Sequence, residues 1–169
     1  GFITVDNEKM SKSLGNFFML KDVFEKYEPQ VVRLMFLQTH YRNPINFSDK
    51  LLEQSKSAME RIRDFLRNLH LALDSDDLSD SCSLSDFVDK TESSFISSLD
   101  DDFDSSGALG AIFELIKDVN KALTAGEVSK SGLDDVLAYL KEVDVVLQVL
   151  FHDEDGIDAD VESLIEERN

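Results

Sequence analysis

Apolar positions recur at helical spacing along most of this chain. From residue 48 onward, Leu51, Ser55, Ala58, Ile62, Phe65 and Leu69 follow one another at alternating steps of four and three, which traces one face of an α-helix. Ser48 precedes the stripe as an N-cap, and Asp49 places negative charge in the first turn. A second helix is predicted over Ser85 to Leu99, carrying Phe87, Val88, Phe95, Ile96 and Leu99. Ser105 or Ser106 caps the next, whose stripe is Leu109, Ile112, Phe113, Ile116, Val119 and Leu123, with Gly126 as its terminator. Val136, Leu140, Val143, Leu147 and Leu150 mark another, and Val161, Leu164 and Ile165 begin a last one. Burying a Leu, Ile or Phe contributes about 1.5–3 kcal/mol, so three such stripes facing one another can hold a bundle together.

The first 47 residues read differently. Phe2 to Val5 is a short strand, followed by a polar turn at Asp6-Asn7-Glu8. Nothing downstream alternates well enough to partner it, so its sheet is expected upstream of Gly1 and the chain is read as a fragment. Lys21 to Tyr27 forms a short helix stopped near Glu28-Pro29. Pro29 suits the first turn of the next helix, with Val31, Leu34, Met35 and Leu37 as its apolar positions. Tyr41-Arg42-Asn43-Pro44 breaks that helix, and the Ser/Asp-rich stretch from 74 to 85 is a linker. The fold class is mainly α: a helical bundle preceded by a short strand and a polar loop.

Composition narrows the function classes. The formal net charge is -18, from 35 acidic and 17 basic residues, which on average opposes nucleic-acid binding. The local field decides, however, and the acids cluster in 74–80, 100–104 and 153–160. Arg33, Arg42, Lys56, Arg61, Arg63 and Arg67 precede residue 70 and are the candidates for any nucleic-acid contact. Cys82 is the single cysteine, read as an incidental thiol, and His40, His70 and His152 are too scattered for a ligand cluster. No apolar run is long enough for a bilayer.

The chemistry concentrates in Lys9-Met10-Ser11-Lys12-Ser13, continuing into Leu14-Gly15-Asn16. A lysine ammonium is a compact charge with three rotatable donors on a flexible stem, so it can follow a phosphate through a reaction. Ser11 and Ser13 add hydroxyl donors, and Gly15 lets the backbone turn where a side chain would obstruct it. These residues describe a mobile polyphosphate-binding loop, with a solvated basic turn as the bland alternative.

Lys9 to Ser13 spell the KMSKS signature of class I aminoacyl-tRNA synthetases, and Gly1 to Phe18 resembles the cysteinyl-tRNA synthetase family. Pro29 to Phe47, including Val32-Arg33, His40-Tyr41-Arg42 and Ile45-Asn46-Phe47, resembles that family's connecting region. Phe95 to Leu123, with Asp100-Asp101-Asp102-Phe103-Asp104, is similar to the start of its helical anticodon-side domain, and Glu162 to Arg168 to the segment before its C-terminal tail. The resemblance implies four parts: the loop and connecting region in 1–47, a long helix in 48–73, the acidic linker in 74–85, and a truncated DALR-like domain in 86–169. It also implies a Rossmann-type catalytic domain upstream, together with the zinc ligands that select the substrate thiol. The implied activity joins cysteine to its tRNA through a cysteinyl-adenylate made with ATP. Lys12 would contact the ATP phosphates, Lys9 would stabilise charge on the departing pyrophosphate, and Ser11 and Ser13 would line the nucleotide. A cytoplasmic monomer binding ATP, cysteine and tRNA, with no membrane, completes the expectation, and residues 1–169 alone are expected to be inactive. Two alternatives stand beside it: a relative that joins cysteine to an amino sugar, and a non-catalytic acidic helical module that binds tRNA or protein.

Overall fold

The structure is a computed structural model that describes residues 3–5, 8–11, 13, 15–17, 19–75 and 83–151. Three short strands and six helices follow in the order β1 (Ile3–Val5), β2 (Glu8–Lys9), α1 (Leu20–Phe24), α2 (Pro29–Leu37), β3 (Ile45–Phe47), α3 (Asp49–Leu73), α4 (Ser85–Asp100), α5 (Ser105–Ala125) and α6 (Lys130–Leu147). The mainly helical reading holds. The partnerless strand does not: β1 lies at the centre of a three-stranded sheet ordered β2-β1-β3. It pairs antiparallel with β2, Thr4 opposite Lys9, and parallel with β3, Ile3 opposite Ile45 and Val5 opposite Phe47. A strand of three residues puts at most two side chains on one face, too few for an alternating pattern to register.

α2 joins two cores because its apolar residues lie on two sides. Val31 and Leu34 enter the large core, which α3, α4, α5 and α6 fill with residues such as Phe65, Leu69, Phe95, Ile112, Leu115, Leu133 and Leu140. Val32 and Met35 enter a small core with Val23, Phe47 and Leu52. The small core thereby ties the sheet to the helices through β3.

Helix ends follow local chemistry. The Ser48 hydroxyl accepts the Leu51 N–H at 3.3 Å, as expected of an N-cap. On α3 the stripe is shifted by one residue at its start, because Leu52 is buried while Leu51 is only half so. On α4, Phe95 is buried but Ile96 is exposed. The cap of α5 is neither Ser105 nor Ser106 but Asp104, whose Oδ1 accepts the Gly107 N–H at 3.0 Å and the Ser106 hydroxyl at 2.5 Å. A carboxylate accepts more strongly than a hydroxyl. Gly107 sits so close that an added Cβ would lie 2.5 Å from Asp104 Oδ2. Ser105 becomes the first helical residue, and its hydroxyl donates to the Leu37 carbonyl at 2.9 Å. Gly126 ends α5 in the left-handed conformation, φ 70°. α6 stops at Leu147, so Leu150 is buried beyond the helix. There the Asp144 carboxylate accepts the N–H groups of Val149, Leu150 and Phe151. Most of the acidic linker, Cys82, His152 and the predicted helix at 161–165 lie outside the described residues.

Candidate functional site

Lys9 lies in β2, held beside Thr4 of the central strand, and its side chain is exposed with no ion-pair partner among the described residues. The loop leaving β2 is folded back by Asn16. Its side-chain oxygen accepts the Ser11 N–H at 2.9 Å, while its amide nitrogen donates to the Lys9 carbonyl at 3.2 Å. Ser11 Oγ and Ser13 Oγ are 2.6 Å apart, and Gly15 takes φ 70° with open space around it. Lys9, Ser11 and Ser13 therefore share one exposed turn. Lys12, the fourth predicted member, lies outside the described residues, as do Leu14 and Phe18. A lysine and two hydroxyls at neighbouring positions of one loop offer donors of the kind that bind phosphate oxygens.

Asn16 has no role in the sequence reading, yet it closes the loop. The available signal is an Asn directly after a glycine, since Asn side chains bond nearby backbone and stabilise turns.

A second constellation joins two stretches about 60 residues apart in sequence. Asp102, in the turn between α4 and α5, accepts the Tyr41 hydroxyl at 2.7 Å and the Arg42 Nη2 at 2.8 Å on one oxygen. Its other oxygen lies 2.6 Å from Arg42 Nε and 3.8 Å from His40 Nε2. The Tyr41 bond first, and then the Arg42 charge, hold the Asp102 carboxyl below the usual carboxylate range. Tyr41 and Asp102 push the Arg42 guanidinium up in turn. The Asp104 carboxyl is lowered too, by Ser106 and the Gly107 N–H.

The basic residues before position 70 are mostly engaged within the molecule. Arg33 donates to the carbonyls of Leu147 and Val146 at the end of α6. Arg63 pairs with Glu28, Arg67 with Asp64, and Arg42 with Asp102. Arg61 lies over the Phe113 ring, 5.6 Å from its centroid, and with Lys50, Glu53, Gln38, Gln54 and Ser57 it lines an open groove along α3. α3 carries Lys50, Lys56, Arg61, Arg63 and Arg67 against Asp49, Glu53, Glu60 and Asp64, a local excess of cations on a chain of net charge -18.

Among the described residues no three His, Cys, Asp or Glu side chains converge to hold a metal ion, and no helix is long and apolar enough to cross a membrane.

Residues 1–57 match the family model described as the class I (C) tRNA synthetase catalytic domain, and residues 94–151 match the DALR domain. The cysteine–tRNA ligase of Shouchella clausii is 40% identical over 172 residues, covering 100% of this chain and 37% of that protein. The cysteine–tRNA ligase of Halalkalibacterium halodurans is 39% identical over 171 residues, again with 100% and 37% coverage. The chain thus spans 37% of the length of these curated relatives. Among solved structures, the LeuRS of an Agrobacterium radiobacter K84 LeuRS–tRNA–LeuAMS ternary complex superposes with a TM-score of 0.67 at 25% identity. That match covers 83% of this chain and 19% of the other.

Proposed function

We propose, from the premise that this chain belongs to the cysteine–tRNA ligase family, that it supplies the ATP-phosphate loop and the tRNA-side helices of a complete ligase. In that ligase the cysteine carboxylate attacks the α-phosphorus of ATP, and the bond to the β-phosphate breaks to release pyrophosphate. A hydroxyl of the tRNA's terminal adenosine then attacks the adenylate carbonyl and displaces AMP. The observation that carries this reading is the stapled turn at Lys9, Ser11 and Ser13, held on β2 with Lys9 in no ion pair among the described residues. Lys9 and Lys12 are assigned to the phosphates that gain charge as pyrophosphate leaves, where stabilisation is larger in the transition state than in the ground state. Ser11 and Ser13 are assigned to hydrogen bonds with the same oxygens. Among the described residues no side chains group to hold zinc, so the ligands that would hold it are assigned to the rest of the ligase.

The tRNA partner is supported by the α3 groove, whose Lys50 and Arg61 carry no acidic partner among the described residues and whose amides and hydroxyl suit a sugar–phosphate backbone. A cytoplasmic monomer and the four-part division at 47, 73 and 85 belong to the same reading. The test is Lys12→Ala in the complete ligase. ATP–pyrophosphate exchange is expected to slow by about 100-fold or more, the scale of removing one donor to a transition-state charge, with tRNA affinity unchanged within about twofold. An unchanged exchange rate removes Lys12 from the chemistry. Absence of any cysteine charging by the wild type favours the non-catalytic helical module.

A further inference from the structure

The Asp102 constellation joins the part of the chain that carries the loop to the part that forms the bundle. On one side, Arg42 lies three residues before β3, β3 pairs with β1, and β1 pairs with the strand that holds Lys9. On the other, Asp102 lies three residues before α5, which contributes Ala108, Leu109, Ile112 and Leu115 to the large core. Beside it, Ser105 Oγ donates to the last residue of α2. The Tyr41 and His40 rings stack with centroids 4.9 Å apart, so the three side chains facing Asp102 support one another.

Stability does not account for this arrangement. Arg42 and Asp102 are 66% and 39% exposed, and exposed ion pairs contribute little because water screens them. Asp102 and Phe103 are nevertheless held at φ 57° and 54°, left-handed values that disfavour side chains and that a bulky Phe rarely adopts. A strained turn kept in place by an exposed carboxylate marks a position where geometry matters more than stability.

We propose that Asp102 and Arg42 are positioning residues for the transfer step, locking the α4–α5 turn against the segment entering β3 so that tRNA held on the bundle meets the adenylate under the loop. The inference rests on the ligase reading above. Orientation is where such a lock acts, because small misplacements of one reactant against another cost large factors in rate. Adenylate formation uses only the loop side and does not depend on the lock.

The test compares Asp102→Asn, Arg42→Gln and the double variant in the complete ligase. Asn keeps the shape, an acceptor for Tyr41 and tolerance of the left-handed backbone, so the fold survives while the charge pair is lost. Single-turnover transfer of cysteine from adenylate to tRNA is expected to slow about tenfold in each single variant. ATP–pyrophosphate exchange and tRNA Kd should stay within about twofold. The double variant should be no slower than either single, because the two residues act as one unit. Arg42→Lys, which keeps the charge but not the two-pronged grip, should recover part of the rate. Unchanged transfer, additive losses, or equal losses in exchange and transfer would each overturn the proposal. A wild type that charges normally beside unaffected variants rejects the lock alone, whereas a wild type that charges no tRNA rejects the ligase reading and the lock together.

Discussion

Single polar groups decide several local questions here, and Tyr139 shows how. Its ring is buried between α4 and α6, and its hydroxyl finds no hydrogen-bond partner among the described residues. Burial first, and then the nearby Glu92 and Glu142 charges, raise its pKa from 10.0 to about 12. Because the folded-state pKa is the higher one, the neutral tyrosine stabilises the fold below pH 10.0 and that contribution disappears as pH rises from 10.0 to about 12. Tyr139→Phe is therefore expected to lose no stability at neutral pH, since it removes an unsatisfied buried hydroxyl. It should also flatten the fall in stability above pH 10.0. Urea melts of both proteins across that range check the expectation, and a clear loss at pH 7 would show that the hydroxyl has a partner. Tyr27, by contrast, reaches about 12 chiefly through its bond to Glu53. Two similar values thus arise from different causes.

At the scale of elements, legibility tracked length. α3 was readable because its apolar face repeats over 25 residues, and its Ser48 cap is a local signal that tertiary contacts leave intact. α5 and α6 were readable for the same reason, together with Gly126. The sheet was not, because β1, β2 and β3 have three, two and three residues, and the pairing of β1 with β3 crosses the intervening helices. The Asp104 cap was hidden by the two serines that follow it, of which Ser105 bonds the Leu37 carbonyl and Ser106 bonds Asp104 itself. In the loop, the motif singled out Lys9, Ser11 and Ser13 as candidates, while the staple by Asn16 came only with the fold. The Asp102 lock was beyond the sequence altogether, since its halves are about 60 residues apart. α3 is also where the fold is most sensitive, for it packs against α2, α5, α6 and β3. Phe65, 1% exposed in the large core, should cost about 3–5 kcal/mol on truncation in Phe65→Ala. The measurement is the shift in urea midpoint, and a cost below about 1 kcal/mol would mean that the neighbouring helices close the cavity.

Taken whole, the molecule is unevenly built. Its helices share a large continuous core, whereas the sheet that carries the Lys9 loop rests on Val23, Val32, Met35, Phe47 and Leu52. The ladder between β1 and β3 pairs Ile3 with Ile45, so it closes only after the whole segment between them has been placed. Such a ladder should open without the bundle unfolding, as a separate cooperative unit. Amide hydrogen exchange would register this directly. The amides of Val5 and Phe47 are expected to exchange at least about tenfold faster than those of Val119 and Leu140, which lie in long helices of the large core. Equal protection would mean that the sheet and bundle open together. Whatever binds the folded loop must also hold this ladder shut, so a phosphate-bearing ligand should slow exchange at β1 and β3 while leaving the bundle amides unchanged.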